Sequence, residues 1–337
     1  MPTPDRADSV GVVGEFGVIA RVLARSGTAA LAEVGPGDDA AVLRAPDGRV
    51  VACTDVLVEG RHFRRDWSSG ADVGHKAAAA NLADIAAMGA VPTALLVGLA
   101  CPADTPAGWL EDVAAGMAAE CAPFGAAVVG GDTVASAPDS QAVVLSVTAL
   151  GDLGGRAPVT RSGARPGDVV AVAGRLGWSG CGLAVLRRGF TSPIAAVNAH
   201  RRPTPPYAAG PAAADAGATA MCDTSDGLLA DAGHLAVDSG VLIELDGAAL
   251  TRAFVEPPGP LQQVAAALGG DPLLWVLTGG EDHALVATFP AAGTLPADWV
   301  VVGRVAAGVP GVRVDGVPAA VVAAELGAEG TGHVHFG

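Results

Sequence analysis

The sequence predicts an α/β protein in which strands and helices alternate along the chain. Two observations favour this class. Valine-rich apolar runs recur between turns marked by Gly and Pro, and alanine-rich segments with apolar residues three and four positions apart lie between those runs. The chain has 337 residues, of which 50% are hydrophobic. This length suits one large or two medium domains, and a compact fold is expected.

The first half predicts a mixed unit of helices and strands. Helices are assigned where apolar residues recur three and four positions apart, and strands where short apolar runs lie between turn signals. In chain order the predicted elements are a helix over 14–26, strands over 38–45 and 50–58, a helix over 71–89, a strand over 93–100, a helix over 106–122, and strands over 126–134 and 142–151.

The second half repeats this style after a turn-rich stretch over 151–168, which Gly and Pro punctuate heavily. We expect a domain boundary there, with one domain over 1–150 and another over 151–337. The predicted elements that follow are a strand over 169–174, helices over 178–188 and 225–239, and strands over 241–245, 283–289 and 299–305.

The charge and the basic residues exclude several functions. The formal net charge is −15, which argues against nucleic acid or an anionic membrane as a partner and favours metal cations. Lys76 is the only lysine, and no G-x-x-x-x-G-K-[ST] string occurs, so a Walker A loop is excluded. Because Lys76 lies in a strongly helical stretch, we expect it to be solvated rather than catalytic.

The cysteines and the N-terminus bear on the compartment. Five cysteines without a C-x-x-C pair indicate neither a disulfide framework nor a zinc knuckle. The first residues lack the pattern of a signal peptide, and no apolar run reaches about 18 residues. A cytoplasmic protein without a membrane partner is expected.

Carboxylates recur beside Gly, Ser or Thr at predicted strand ends and helix starts. Clustered carboxylates repel one another unless cations compensate them, and oxygen ligands of this type select Mg²⁺, which commonly bridges protein carboxylates to substrate phosphates. Arg161 is the arginine best suited to assist, since guanidinium binds phosphate bidentately. The acids that follow this pattern are Asp38, Asp39, Asp55, Asp84, Asp132, Asp223 and Asp226.

A structural interpretation of the segment "MCDTSDGLLADAGH" stays open beside the functional one. Asp, Ser and Thr are preferred at helix N-termini, and Thr224 or Ser225 could cap the helix that follows. That leaves Asp223 and Asp226 in need of another reason, while Asp231 requires none. The helix start after Ser225 is also suited to a phosphate, which N-terminal amides favour.

Two glycine-acid turns, "GGDT" at 130–133 and "GGED" at 279–282, each follow an apolar run. Paired glycines allow close approach of the backbone to a ligand, although either turn alone is more often structural. Other known sites are missing from the sequence: it contains no EF-hand loop, G-x-G-x-x-G fingerprint, H-E-x-x-H or G-x-S-x-G string.

Eight motifs resemble the thiamine-monophosphate kinase family in order and approximate spacing, from Glu15 to Phe336. They are "GPGDDAAV", "TDVLVEGRHF", "NLADIAAMGA", "GGDT", "VTRSGARPGD", "CDTSDGLLADAGH", "GGEDHALV" and "GHVHF". Shorter versions of the glycine-acid motifs belong to the wider superfamily of aminoimidazole ribonucleotide synthetase and selenophosphate synthetase. The resemblance implies that the N-terminal domain binds ATP and metal and contributes its sheet to a barrel shared across a homodimer. A C-terminal α/β domain would complete the active site.

The resemblance also implies roles for individual residues. Asp223, Asp226 and Arg161 would be catalytic, His62 and Glu281 would contact thiamine monophosphate, and His333 stands where the family usually has an aromatic near the substrate. Cys53 replaces a usual Ser or Thr. The implied ATP contacts are Gly131, Asp132, Arg161 and Ser225, and the implied Mg²⁺ ligands are Asp39, Thr54, Asp55, Asp84, Asp132, Asp223 and Asp226.

The reaction implied is direct in-line transfer of the γ-phosphoryl group of ATP to thiamine monophosphate, with several Mg²⁺ ions, giving thiamine diphosphate. Such a transfer needs positioning and charge neutralisation more than covalent chemistry. Two alternatives remain: another ATP-dependent enzyme of the superfamily that acts through a phosphorylated intermediate, or a non-catalytic nucleotide- or metal-binding protein.

Overall fold

The computed structural model describes residues 8–36, 40–137, 139–257 and 259–333. The chain divides into two compact units. Unit 1 comprises residues 1–85 and 91–154, and unit 2 comprises residues 86–90 and 155–337. Helices and strands mix in both units, as the sequence predicts. Within the described ranges, no helix combines the length and the apolar character needed to cross a membrane.

Unit 1 is built on a four-stranded sheet. Its helices are α1 (Val10–Val13), α2 (Glu15–Leu23), α3 (Gly70–Ala87) and α4 (Ala107–Cys121), followed by a 3₁₀ turn, Ala122–Phe124. Its strands are β1 (Ala32–Val34), β2 (Val42–Leu43), β3 (Val51–Val58), β4 (Val91–Cys101), β5 (Val128–Ala135) and β6 (Val144–Asp152). The large sheet has the order β3-β6-β4-β5, in which only β4 and β5 run parallel, and β1 pairs with β2 separately.

Unit 2 is built on a seven-stranded sheet of order β13-β12-β9-β11-β7-β10-β8. The strands are β7 (Val169–Ala173), β8 (Ala220–Asp223), β9 (Leu242–Leu245), β10 (Leu285–Phe289), β11 (Trp299–Ala306), β12 (Gly311–Val314) and β13 (Val317–Pro318). The helices are α5 (Trp178–Arg187), α6 (Ile194–Arg201), α7 (Ala209–Asp215), α8 (Leu228–Ser239), α9 (Gly247–Leu250), α10 (Pro260–Leu268), α11 (Leu273–Thr278) and α12 (Ala319–Glu325), with a π turn at Thr251–Val255.

The core of unit 2 places β8 and β10 side by side. Met221, Leu285 and Phe289 are buried there with Trp299 of β11, whose ring lies edge-on to that of Phe289. β10 pairs antiparallel with β8 from Leu285 opposite Asp223 to Thr288 opposite Ala220. The end of β8 and the start of β10 therefore lie next to each other, and the loop after one meets the loop before the other.

Several element boundaries differ from the predicted ones. The first predicted helix is two, because Gly14 has φ 76° and separates α1 from α2. The predicted strand over 38–45 is only β2, and residues 37–39 lie outside the described ranges. The helix expected from residue 225 begins at Leu228, and the strand expected from residue 283 begins at Leu285 because His283 has φ 52°. Neither of the two large sheets closes into a barrel within the described residues.

Helices α3 and α4 pack unusually closely at Gly74. A Cβ atom added to Gly74 would lie 1.9 Å from the carbonyl oxygen of Val113, so only glycine fits at this contact. We expect Gly74→Ala to lower the free energy of unfolding by about 1–3 kcal/mol, measured by urea denaturation, because the helices must separate. The matched control is Gly233→Ala in α8, where an added Cβ meets nothing within 4 Å. That variant should be up to about 1 kcal/mol more stable, and equal destabilisation by both would contradict the packing argument.

Candidate active site

The segment that follows β8 carries two of the predicted acids. Asp223 is the last residue of the strand and is buried, whereas Ser225 and Asp226 are half-buried in the loop before α8. Neither Thr224 nor Ser225 caps the helix, whose N-cap is Gly227 without a side-chain cap. The loop thus presents Ser225 and Asp226 partly to solvent, with Asp223 behind them.

Asp231 binds two backbone amides of the loop that leads into α8. Its carboxylate accepts from the backbone N–H of Asp226 at 3.0 Å and of Gly227 at 2.9 Å. Burial, together with the nearby charge of Asp223, raises the pKa of this carboxyl to about 7. The expectation that this helix start suits a phosphate stays a prediction for the amides of α8 itself, because Asp231 occupies only the two amides that precede the helix.

The "GGED" turn is hydrogen-bonded directly to this loop. The N–H of Glu281 donates to the carbonyl of Ser225 at 2.8 Å, and the N–H of Thr224 donates to the carbonyl of Ala284 at 2.7 Å. A Cβ atom on Gly280 would lie 2.3 Å from the Ser225 carbonyl, so the approach requires glycine. Glu281 and His283 have φ values of 63° and 52°, a conformation that costs about 1–3 kcal/mol for each non-glycine residue. Glu281 is thereby held next to Ser225.

His283 binds the carboxylate of Asp223. Its Nδ1 lies 2.9 Å from Oδ2 of Asp223, and both side chains are buried. A buried carboxylate needs such a partner because desolvation disfavours its charge. The contact fixes the orientation of the Asp223 carboxylate at the end of β8.

Asp282 points into the interior between these two residues. Its Oδ1 accepts from the N–H of Ser179 in the first turn of α5 at 2.9 Å. Its Oδ2 is buried and has no hydrogen-bond partner among the residues that the structure describes. Burial raises the pKa of Asp282 to about 7, an effect that hydrogen bonds from the amides of Ser179 and Gly177 partly offset. The side chain anchors the turn to α5.

Two further predicted residues lie in unit 2 beside this loop. The N–H of His333 donates to the carbonyl of Asp226 at 3.0 Å, and the His333 side chain is exposed. Arg161 follows Thr160, whose carbonyl accepts from the N–H of Met221 in β8, and its own side chain is exposed. Unit 2 therefore gathers Ser225, Asp226, Glu281 and His333 around one loop, with Arg161 on the segment beside β8.

Asp55 and Asp84 of unit 1 come together around Cys53. Burial is the main cause that raises the pKa of the Cys53 thiol, and a hydrogen bond with Asp84 and the charges of Asp84 and Asp55 raise it further. In the absence of a bound cation, the raised pKa favours the neutral thiol over the thiolate. Asn81, fully buried on α3, accepts from the Asp55 N–H and its backbone carbonyl accepts from the Cys53 thiol.

Thr54 and Asp132 lie on the other face of the same sheet. Side chains alternate along a strand, and the register places Thr54 of β3 opposite Thr148 and Asp132 of β5 opposite Gly98. The Thr54 hydroxyl donates to the Val147 carbonyl, and Asp132 accepts from the N–H of Thr133. Gly131 precedes Asp132 in β5. The structure does not join these side chains to Asp55 and Asp84.

His62 lies in the turn after β3, where its Nδ1 accepts from the N–H of Val58 at 3.0 Å. Its carbonyl accepts from Nζ of Lys76 at 3.0 Å. Lys76 is buried, so the expectation that it is solvated is wrong. The lysine stabilises the turn that carries His62.

The donors suit a hard cation that is shared with a ligand rather than enclosed by protein. Within the described ranges no group of three or more His, Cys, Asp and Glu side chains could hold a metal ion by itself. Mg²⁺ typically takes one or two carboxylates, water and substrate phosphates, so the Asp55 and Asp84 carboxylates, or those of Asp223 and Asp226, match it in chemistry. Asp39 lies outside the described residues.

Comparisons with known proteins agree over nearly the whole chain. Residues 37–153 match the model of the AIR synthase related protein N-terminal domain. The thiamine-monophosphate kinase of Mycobacterium tuberculosis is 50% identical over 304 residues, which cover 90% of this chain and 88% of the relative. The Escherichia coli K12 thiamine-monophosphate kinase is 36% identical over 321 residues, covering 89% and 92%. The chain belongs to the thiamine-monophosphate kinase family.

A solved structure of this family extends the likeness to three dimensions. The structure of AaThiL complexed with AMPPCP and TMP superposes with a TM-score of 0.75 at 33% identity, and covers 96% of this chain and 97% of that one. The Escherichia coli HypE structure, a hydrogenase maturation protein, has a TM-score of 0.66 at 22% identity. The second likeness shows a shared fold only.

The motifs shared with the thiamine-monophosphate kinase family did not identify four residues that support the predicted ones. Asn81 joins β3 to α3, Asp231 closes the start of α8, and Asp282 and His283 hold the turn after Glu281. Asn81 and Asp231 left a usable signal in the sequence, namely a polar residue three to five positions from a predicted ligand on an apolar helix. Asp282 and His283 follow Glu281 directly, but nothing in the sequence shows which of the three faces inward.

The buried Asp282 predicts a pH effect on stability. Its pKa rises from an ordinary 3.8 to about 7 in the folded protein, so the folded state retains the proton at pH values where the unfolded state has lost it. Stability is then greatest below the unfolded pKa and falls as the pH rises toward the folded pKa. Asp282→Asn keeps an oxygen for the Ser179 amide but cannot ionise. In urea unfolding of the ligand-free protein, it should reduce the loss of stability between about pH 5 and about pH 8 by on the order of 1–3 kcal/mol.

The control for this effect is Asp246→Asn, which alters an exposed carboxylate that caps α9 through the Ala249 amide. That variant should keep the pH dependence of the wild type. If Asp282→Asn shows the same pH dependence as the wild type, ionisation of Asp282 is not the cause.

Proposed function

We propose that the protein transfers the γ-phosphoryl group of ATP to thiamine monophosphate, giving thiamine diphosphate and ADP. The observation that carries this proposal is the 33% identity and TM-score of 0.75, over 96% of the chain, to a thiamine-monophosphate kinase structure that contains AMPPCP and TMP. The 50% identity to the Mycobacterium tuberculosis kinase supports the same activity. The cytoplasmic location expected from the sequence stays a prediction.

The residues divide into three roles in this proposal. His62, Glu281 and His333 contact thiamine monophosphate, and Gly131, Asp132, Arg161 and Ser225 contact ATP. The convergence of Ser225, Asp226, Glu281 and His333 on one loop supports this division, since it places donor-side and acceptor-side residues within hydrogen-bond distance of each other's backbone. The proposed Mg²⁺ ligands are Asp39, Thr54, Asp55, Asp84, Asp132, Asp223 and Asp226.

The transfer is direct and in-line, without a phosphorylated protein residue. The acceptor is already an anionic phosphate, and phosphoryl transfer passes through a loose transition state that needs alignment and charge stabilisation. Arg161 supplies a guanidinium for phosphate oxygens. The hydrogen-bonded loops fix Ser225 and Asp226 relative to Glu281. Residues proposed to bind ATP are thereby positioned next to a residue proposed to bind thiamine monophosphate. Mg²⁺, where bound, neutralises phosphate charge and polarises the phosphoryl group.

Thr54 supports the metal proposal in a restricted way. Its hydroxyl is engaged by the Val147 carbonyl and by the hydroxyl of Thr148. Its side chain also lies on the face opposite to Asp55. A contribution of Thr54 beside Asp55 would therefore use its backbone carbonyl, as a hard oxygen donor, rather than its side chain.

The alternatives are weaker on specific observations. The phosphorylated-intermediate chemistry of the wider superfamily has only fold-level support, because HypE is 22% identical. A purely non-catalytic binding protein is disfavoured by the 50% identity, over 90% of the chain, to the Mycobacterium tuberculosis thiamine-monophosphate kinase.

A homodimer is proposed from the open face of the unit 1 sheet. Val56, Leu96 and Val134 are 48%, 37% and 51% exposed and point to the same face of β3, β4 and β5. An exposed apolar sheet face of this kind is typical of a protein interface. A second copy of the same sheet would cover it and form the shared barrel of the N-terminal domain, residues 1–150; the C-terminal domain of residues 151–337 takes no part in this proposal.

The activity is tested by incubating the purified protein with ATP, Mg²⁺ and thiamine monophosphate and separating the products chromatographically. Thiamine diphosphate should form, and thiamine offered alone or omission of Mg²⁺ should give none.

Asp226→Asn should lower kcat by at least about a hundredfold, because a carboxylate that balances phosphate and metal charge is lost. The control Asp238→Asn changes an exposed acid in α8, the helix that follows Asp226, and should retain wild-type turnover. Near-normal turnover of Asp226→Asn would refute its role.

The dimer is tested by Leu96→Asp, which places a charge at the centre of the exposed sheet face. Light scattering should show a dimer for the wild type and a monomer for this variant, because burying an unpaired carboxylate in an apolar interface is costly. Val309→Asp adds the same charge at a position that is 84% exposed in unit 2 and should remain dimeric. A monomeric wild type, or a dimeric Leu96→Asp variant, would contradict the proposed interface.

A further inference from the structure

We propose that His200, together with Ser179, is a positioning residue that orients the carboxylate of Glu281 for binding of the acceptor substrate. The inference rests on the proposed function, in which Glu281 contacts thiamine monophosphate. The motifs of the sequence single out neither His200 nor Ser179. Ser179 on α5 precedes the "GGED" turn by about a hundred residues, and His200 on α6 precedes it by about eighty.

Glu281 has a fixed backbone and a partly exposed side chain. Its backbone is fixed by the 2.8 Å hydrogen bond to the Ser225 carbonyl and by φ of 63°. Its side chain is 32% exposed, so it is partly open to solvent and partly enclosed by protein. A glutamate with several rotatable bonds loses conformational entropy on binding a ligand unless the protein has already restricted it.

His200 contacts the carboxylate of Glu281 and restricts its movement. The His200 side chain is 7% exposed, and its Nδ1 lies 3.6 Å from Oε2 of Glu281. The same Nδ1 lies 3.1 Å from the hydroxyl of Ser179, a hydrogen-bond distance. The contact with Glu281 is electrostatic at this separation, and a small movement of the carboxylate would bring it into hydrogen-bond range.

The packing of α6 on α5 holds the imidazole of His200 in place. His200 lies in the last turn of α6, which packs tightly on α5 at Gly182. A Cβ atom on Gly182 would lie 2.0 Å from the Ala196 carbonyl and 3.0 Å from the Cβ of His200. The spacing of the two helices, and with it the position of the ring, therefore depends on glycine at this contact.

These contacts form a closed circuit. The Ser179 amide binds the Asp282 carboxylate, the Ser179 hydroxyl binds His200, and His200 faces Glu281, which precedes Asp282 in the chain. The first turn of α5 thus holds both the turn and the glutamate side chain. The carboxylate is aligned before the substrate arrives, which lowers the entropic cost of binding thiamine monophosphate without affecting ATP.

The experiment measures steady-state constants for both substrates in variants of this circuit. His200→Leu should raise the KM for thiamine monophosphate about tenfold, with kcat and the KM for ATP within about twofold of wild type, since ordering one flexible side chain before the ligand binds contributes on that scale. His200→Asn retains a donor near Nδ1 and should restore most of the loss. Ser179→Ala removes only the hydroxyl and should raise the same KM about threefold.

A double-mutant cycle separates positioning from general damage. If His200 acts through Glu281, His200→Leu should change the KM for thiamine monophosphate less than about twofold when Glu281→Gln is already present. The control is His75→Leu, which removes a comparable histidine-glutamate contact, 2.8 Å from Nδ1 to Oε2 of Glu120, in unit 1. It should leave both KM values unchanged.

Three outcomes would overturn the inference: an unchanged KM in His200→Leu and Ser179→Ala, equal rises of KM for both substrates, or full additivity with Glu281→Gln. Should His200→Leu fail to fold, Ser179→Ala and His200→Asn in the same cycle decide the result. The activity of the wild-type protein separates the test of the proposed function from the test of the role of His200. Failure of the wild type to form thiamine diphosphate would refute the proposed function as well, whereas normal activity with no effect of these variants would refute only the role of His200.

Discussion

The site in unit 2 depends on the close approach of two backbone segments, residues 223–227 and residues 279–284. The N–H of Glu281 reaches the Ser225 carbonyl, and the missing side chain of Gly280 makes that distance possible. The left-handed conformations of Glu281 and His283 follow from this approach, because the chain must reverse while staying hydrogen-bonded to its neighbour. Their cost is offset by the pairing of β8 with β10, which begins immediately beyond the turn.

This turn distributes three consecutive polar side chains to three different environments. Glu281 faces partly outward, Asp282 enters the interior at the start of α5, and His283 binds Asp223. Each buried carboxylate receives at least one donor, either a backbone amide or an imidazole, as the cost of burying charge requires. Oδ2 of Asp282 has no partner among the described residues, and the raised pKa of that group is the expected consequence.

The sequence predicted the class of fold and the family, but not the arrangement of side chains within the site. Valine-rich runs identified β3, β4, β7 and β10 because buried strands carry strong apolar patterns. Short helices such as α6, α7 and α9 escaped prediction, since four to eight alanine-rich residues show little periodicity. The support given by His283 and Asp282 depends on positive φ values and on contacts between residues distant in the chain. Local patterns do not encode such contacts.

Lys76 and Asp231 show why local reasoning failed in both directions. Lys76 was expected to be solvated because it lies in a strongly helical stretch, yet it is buried and bonded to the His62 carbonyl. Asp231 was assigned no special role, yet it accepts from the amides of Asp226 and Gly227, which lead into the start of α8. In each case the deciding factor is a backbone group that needs a partner, which becomes visible only when the loop geometry is known.

The carboxylates impose a final constraint on how ligands bind. No three metal-binding side chains of the described residues form a site by themselves, while Asp55 and Asp84 lie together around the Cys53 thiol, which burial and their charges keep protonated. A divalent cation held by one or two carboxylates binds weakly until phosphate oxygens complete its coordination, and a triphosphate among carboxylates is repelled until a cation is present. Each ligand therefore supplies what the other lacks, so metal and nucleotide are expected to bind cooperatively, with the coupling set by charge rather than by a conformational switch.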